Sequence, residues 1–288
     1  MKATTIAANG LTFHALEAGS GPLLLCLHGF PDTAETFRHQ FQSFAEAGYR
    51  VVAPRMRGYH PDTLDPAGCY QTAALASDTL ALIDALGYSE AIVYGHDWGT
   101  SAAYGAALLA PEKIIHLVTA AVPYGTAMFD AFLTDPEQQR RSWYMYFFQL
   151  PFAEAAVSYN NFAFIEALWQ DWSPGWQYDP EHLSRVQAAL AEEGVLSAAL
   201  GYYRSLFNPA LNQAHYAAAQ EQFGDPIQVP TLYFHGEQDG CIGADLTQNL
   251  EGLFPAGLDR ILIPGCGHFV HQEKSELFNA EVLRFIQN

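Results

Sequence analysis

The pentapeptide Gly95-His96-Asp97-Trp98-Gly99 sets an aspartate between two glycines, in the pattern of a sharp strand-to-helix turn that thrusts one side chain into a pocket. Serine at such a turn suits acyl transfer. A serine alkylated at saturated carbon would be an inert ether, whereas an alkylated aspartate is an ester whose carbonyl water can attack. An elbow aspartate therefore points to substrates opened at saturated carbon, such as epoxides or alkyl halides. Cleaving the ester then needs a base to activate water and a carboxylate to orient that base. Asp239, in His235-Gly236-Glu237-Gln238-Asp239, and His268, in Gly265-Cys266-Gly267-His268-Phe269, follow Asp97 in the required order. Glu237 and His271 are the rivals. Glu237 sits nearer its strand, and His271 falls at the start of the last helix, so Asp239 and His268 are preferred. His28 and His96 read as hydrogen-bonded loop residues. The His28-Gly29-Phe30-Pro31 turn supplies the remaining need, because the oxyanion formed on ester hydrolysis requires preorganised donors. Those would be the backbone N–H groups of Phe30 and Trp98.

These residues lie far apart in sequence, and a parallel sheet is what can gather them. Pro22 to Leu27, Tyr49 to Pro54, Ala91 to Tyr94 and Ile114 to Val122 read as strands, the apolar runs suiting burial on both faces. Helical stretches, Thr33 to Ala47, Gln71 to Leu86 and Thr100 to Ala110, alternate with them. After an interruption from Tyr124 to Pro209, the rhythm resumes with strands at Pro230 to His235 and Arg260 to Ile263 and helices at Asp245 to Leu253 and Gln272 to Ile286. Thr4 to Glu17, broken at Asn9-Gly10, reads as a two-stranded ribbon. A βα alternation implies a parallel sheet covered by helices, with strand C-terminal ends converging on one crevice. Asp97, Asp239 and His268 all fall just past such ends.

The alternation lapses between Tyr124 and Pro209. That stretch carries about half of the chain's aromatic residues, including Trp143, Trp169, Trp172 and Trp176, and reads as a helical lid. The expected organisation is a core of residues 1–123 and 210–288 with a cap of residues 124–209.

At 288 residues, 50% of them apolar, the chain can bury one large core. A net charge of -18 disfavours nucleic acid and anionic membranes. The N-terminal stretch lacks a long apolar run, so a cytoplasmic protein with no membrane span is expected. Cys26, Cys69, Cys241 and Cys266 lack paired metal-ligand spacing and read as reduced thiols, so no metal site or disulfide framework is expected.

His28-Gly29-Phe30-Pro31, Arg57-Gly58-Tyr59, Gly95 to Gly99, the late Asp239 and the Gly267-His268 loop, spanning nearly the whole chain in order, resemble the α/β-hydrolase superfamily and, within it, the epoxide hydrolases. The resemblance implies an α/β fold with a mostly parallel sheet, an inserted helical cap, no cofactor, and a small apolar epoxide and water as reactants. It also implies two cap tyrosines that donate to the epoxide oxygen. Tyr202-Tyr203-Arg204 is similar to the family segment in which the tyrosine before arginine is one donor, giving Tyr203, although Gly201 stands where the family usually has asparagine. Trp143 to Gln149 is similar to the other segment, and the spacing to Gln149 favours Tyr144 over Tyr146. Haloalkane dehalogenases share the aspartate nucleophile and are the alternative. Many of them carry a donor asparagine where this chain has Phe30.

Overall fold

The computed structural model describes residues 1–287. Eight strands form one sheet: β1 (Lys2–Ala8), β2 (Leu11–Ala18), β3 (Leu23–Leu27), β4 (Arg50–Pro54), β5 (Ala91–His96), β6 (Ile114–Ala120), β7 (Thr231–Gly236) and β8 (Leu258–Ile263). They lie in the order β1-β2-β4-β3-β5-β6-β7-β8, and β4 through β8 run parallel. The expected N-terminal ribbon is more than a hairpin. Its second strand pairs antiparallel with β4, from Ala15 opposite Pro54 to Ala18 opposite Val51, and extends the sheet.

Strands β3, β5 and β7 are buried at every position, as their unbroken apolar character requires. Successive side chains point to opposite faces, so Leu23, Leu25 and Leu27 join one core while Leu24 and Cys26 join the other. The helices Thr72–Ala85 and Trp98–Leu109 pack together over the first face, and Arg38–Glu46 packs with Ser275–Ile286 over the second. The chain leaves β3 for β4 on one side and returns to β5 on the other. The ends of β3 and β5 are therefore a topological switch point, where such sheets open a crevice. His28 to Phe30 and Asp97 lie there.

Between β6 and β7 the chain forms the helices Ala127–Thr134, Pro136–Arg141, Trp143–Phe147, Ala153–Trp172 (broken by non-helical backbone from Tyr159 to Phe162), Pro180–Leu190, Val195–Phe207 and Ala217–Gln220. These cover the C-terminal edge of the sheet. Their packing face is aromatic: Trp169 and Trp172 are fully buried, and Trp169 Nε1 donates to the Pro31 carbonyl across the cap–core boundary.

Two sequence expectations need correction. Asp245 to Leu253 is not a continuous helix but two 3-10 turns, Ala244–Thr247 and Glu251–Leu253, separated by Asn249 at φ 59°. The Arg260 guanidinium fixes the first turn by donating to the Thr247 carbonyl at 2.8 Å. The closing helix is also interrupted. Val270–Glu273 and Ser275–Ile286 meet at Lys274 (φ -130°, ψ 46°), where the Glu273 carboxylate turns back to accept from Gly267 N–H.

Close backbone approach at the β5 turn makes Gly95 obligatory, since a Cβ there would strike the Gly99 carbonyl. Gly95→Ala is expected to lower unfolding stability by about 1–3 kcal/mol, read as a reduced urea midpoint. A variant as stable as the parent would show that the turn can relax.

Candidate active site

Asp97 occupies the turn between β5 and the helix Trp98–Leu109 with φ 53° and ψ -121°, a backbone state that costs a non-glycine residue on the order of 1–3 kcal/mol. Neighbouring bonds hold it there. Thr100 Oγ1 lies between two carbonyls that share its one hydrogen, Gly95 at 2.7 Å and Ala120 at 2.8 Å, tying the helix start to β5 and β6. The Phe30 N–H donates to Asp97 Oδ1 at 2.7 Å. An added Cβ on Gly29 would collide with that same oxygen and with Trp98 N, so glycine is what lets the two turns approach.

His268 lies beyond β8, with its Nε2 3.6 Å from Asp97 Oδ2 and its Nδ1 2.9 Å from Asp239 Oδ2. A carboxylate can only accept, so Nδ1 carries the hydrogen and Nε2 faces Asp97. The other Asp239 oxygen accepts from Cys241 N–H at 2.7 Å and Ile242 N–H at 3.0 Å. All three side chains are buried. Burial opposes charge on His268, but Asp239 and then Asp97 outweigh it and raise the imidazole to about 10. Burial also pushes Asp239 up. The positive ring of His268 overcomes this and holds the carboxyl below its ordinary value.

The rivals lie elsewhere. Glu237 is exposed, and His271 Nε2 is bonded to Thr36 Oγ1 at 2.7 Å in the core. His28 Nε2 accepts from Met56 N–H, and His96 Nε2 donates to the His268 carbonyl at 2.9 Å, so both brace loops.

Tyr144 and Tyr203 descend from the cap and line one cavity with Asp97. Their rings meet edge to face at 5.6 Å. Tyr146 is 41% exposed, against 2% for Tyr144, and packs on Phe207 outside the cavity. Gln149 Nε2 donates to the Met145 and Tyr203 carbonyls, which couples the two tyrosine-bearing helices. Burial pushes both phenols well above their ordinary pKa, so each stays a neutral donor. The Tyr203 hydroxyl and His268 Nε2 are buried without a hydrogen-bond partner among the described residues. The cavity has a volume of about 290 Å³, and Met128, Phe129, Phe132 and Phe223 give it apolar walls.

Sequence reasoning missed several supports. Tyr144 Oη lies 3.3 Å from Cys241 Sγ, a thiol that burial keeps protonated. The end of a cap helix reaches the His268 loop, whose N–H donates to Trp172 O at 3.1 Å and Ser173 Oγ at 2.9 Å. Asp32, just past Phe30, pairs at 2.9 Å with His182 of the cap, both fully buried. Burial raises the Asp32 carboxyl, but His182 and nearby hydrogen bonds bring it below its ordinary value. Each of these partners is remote in sequence, so no local spacing signals it.

Among the described residues two groups bring metal-type ligand atoms within 4.8 Å of one another: Asp239, Cys241 and His268, and the surface group His14, His60 and Asp62. The first is already internally bonded, through Asp239 to His268 and to backbone N–H groups. All four cysteines are free thiols. No helix among the described residues is long and apolar enough to cross a membrane.

Residues 22–275 match the model of the alpha/beta hydrolase fold family, and the chain belongs to that family. Within it the chain is a member of the epoxide hydrolases. It is 31% identical to mouse (Mus musculus) epoxide hydrolase 4 over 97% of this chain and 77% of that protein. The epoxide hydrolase of Caballeronia sordidicola is 30% identical, covering 100% of this chain and 94% of the relative. In three dimensions the chain is similar to an epoxide hydrolase from Vigna radiata, with a TM-score of 0.84, 26% identity, and 99% and 98% of the two chains covered. The chain is thus a hydrolase enzyme.

Asp32 and Asp239, both lowered, lend stability that is complete above the ordinary aspartate pKa of about 3.9 and is lost as pH falls through their lower folded values. Urea midpoints should therefore drop as pH is taken below about 4, and Asp32→Asn should flatten that dependence. An unchanged slope in the variant would show that Asp32 does not contribute to it.

Proposed function

We propose that the protein converts epoxides to vicinal diols through a covalent ester on Asp97. The observation that carries this reading is the buried, unpartnered Tyr203 hydroxyl in the same cavity as Asp97 and Tyr144. Opening an epoxide generates an alkoxide, a poor leaving group unless a proton or strong donor meets it. Tyr203 and Tyr144 are that pair. The names of the relatives point the same way.

In the first step an Asp97 oxygen attacks an epoxide carbon, the ring C–O bond breaks, and the departing oxygen takes a proton from a cap tyrosine. The tyrosinate recovers its proton, relayed through solvent, from the carboxylic acid that Asp97 becomes when the second step is complete. Alkylation removes the Asp97 charge, and with it one of the two carboxylates that raise His268. Its Nε2 then becomes a usable base while Asp239 keeps the ring oriented. In the second step His268 takes a proton from water as the oxygen attacks the Asp97 carbonyl carbon. The oxyanion is stabilised by the Phe30 and Trp98 N–H groups, its collapse expels the alkoxide, and His268 returns the proton. The sum is epoxide plus water to diol. The apolar cavity walls suit alkyl or aryl epoxides.

The same attack on a haloalkane would need donors for halide. Phe30 brings no side-chain donor, and the phenols serve a proton-demanding leaving group better. An assay pairing styrene oxide with a bromoalkane, scored for diol and for halide, tests the choice: diol alone is expected, and halide release without diol would overturn it.

Replacing His268 with glutamine should stall the second step and leave an adduct on Asp97 visible by intact mass. Unimpaired turnover would sink the role given to His268. Tyr203→Phe and Tyr144→Phe should each lower kcat by about 10²-fold or more if the phenol protonates the leaving oxygen.

A further inference from the structure

A second cavity of about 150 Å³ adjoins the first, and Thr72, Trp98, Phe129, Leu206 and Gln220 line both. Its character differs from that of the apolar one. Where the larger cavity has phenylalanine and methionine walls, the smaller has Gln71, Ser205 and Asn212. Ser205 is only 4% exposed, and its Oγ has no hydrogen-bond partner among the described residues. Asn212 Oδ1 is likewise buried and unpartnered. Buried hydroxyls and amides are normally satisfied, so two unpartnered atoms in one small cavity beside a reaction site call for a ligand that supplies the bonds.

The chemistry of that ligand follows from the lining. No lysine, arginine, aspartate or glutamate lines the smaller cavity, so a carboxylate or ammonium would be buried there without a counter-charge. The oxygen of Asn212 can only accept, while the Ser205 hydroxyl can donate or accept. An uncharged hydroxyl has the chemistry for either, able to donate to the Asn212 oxygen or to accept from Ser205. Trp98, the residue after Asp97, forms part of the shared wall, so an arm entering the smaller cavity starts beside the reacting carbon.

We propose that this second cavity is a polar specificity subsite that takes a hydroxyl on the non-reacting arm of the substrate, so that the preferred substrates are hydroxyl-bearing epoxides and not purely hydrocarbon ones. The proposal rests on the epoxide reading of the main site. Ser205 and Asn212 stand outside the reacting groups, so they set which substrate is held and leave the bond-making steps alone.

The test compares a straight-chain terminal alkyl epoxide with analogues bearing a hydroxyl at the far end, over a range of chain lengths, in the wild type, Ser205→Ala and Asn212→Ala. One chain length should be favoured in the wild type. At that length each variant should lose roughly three- to tenfold in kcat/KM for the hydroxylated epoxide, mainly through KM, the size expected for one hydrogen bond. Turnover of the alkyl epoxide should not change, which also establishes that the variants are folded. A wild type that hydrolyses the alkyl epoxide while the ratio of the two substrates stays the same in both variants at every length would overturn the subsite and leave the reaction standing. A wild type that hydrolyses no epoxide would overturn the reaction, and the subsite with it.

Discussion

A carboxylate taken out of water must have its charge compensated where it sits. Asp97 meets this constraint with few partners. One oxygen accepts the Phe30 N–H, and the other faces the His268 ring, itself backed by Asp239. Much of the surrounding architecture exists to bring these groups together: the switch point between β3 and β5 sets Phe30 beside Asp97, and the ends of β7 and β8 deliver Asp239 and His268. The arrangement is also self-adjusting. As an anion Asp97 helps hold a proton on His268, and the esterification proposed for it would release that hold.

The parts legible in the sequence were those with a local physical signature. Apolar runs identified β3, β5 and β7 because a strand buried on both faces admits little else. Glycines marked the Asp97 and His268 turns because only a missing Cβ permits such close backbone contact. The segment from Asp245 to Leu253 misled because its composition tolerates a helix, while Arg260 and the left-handed Asn249 decide otherwise. What the sequence could not disclose was lateral: the thiol of Cys241 beside Tyr144, the Asp32–His182 pair, and the meeting of Ser205 with Asn212 around one cavity. Each depends on where the cap settles. No spacing rule encodes that.

The cap holds to the core through polar contacts sunk in aromatic packing. Trp169 Nε1 reaches the Pro31 carbonyl, and His182 reaches Asp32, so the turn that presents Phe30 N–H is gripped from above at two successive residues. A hydrogen bond made where water is excluded is costly to lose, because neither partner finds a substitute. The position of the Phe30 turn is therefore determined by the cap as much as by the sheet beneath it.

The helix end at Trp172 and Ser173 binds two core loops at once. Trp172 O accepts from Gly240 N–H at 3.0 Å and from His268 N–H at 3.1 Å, so a single carbonyl bridges the segments that carry Asp239 and His268. Mechanically this edge is a weld and not a hinge: lifting it would drag the imidazole from its carboxylates. On the opposite rim Phe129 borders the cavity half in solvent, so it is there that the cavity meets water.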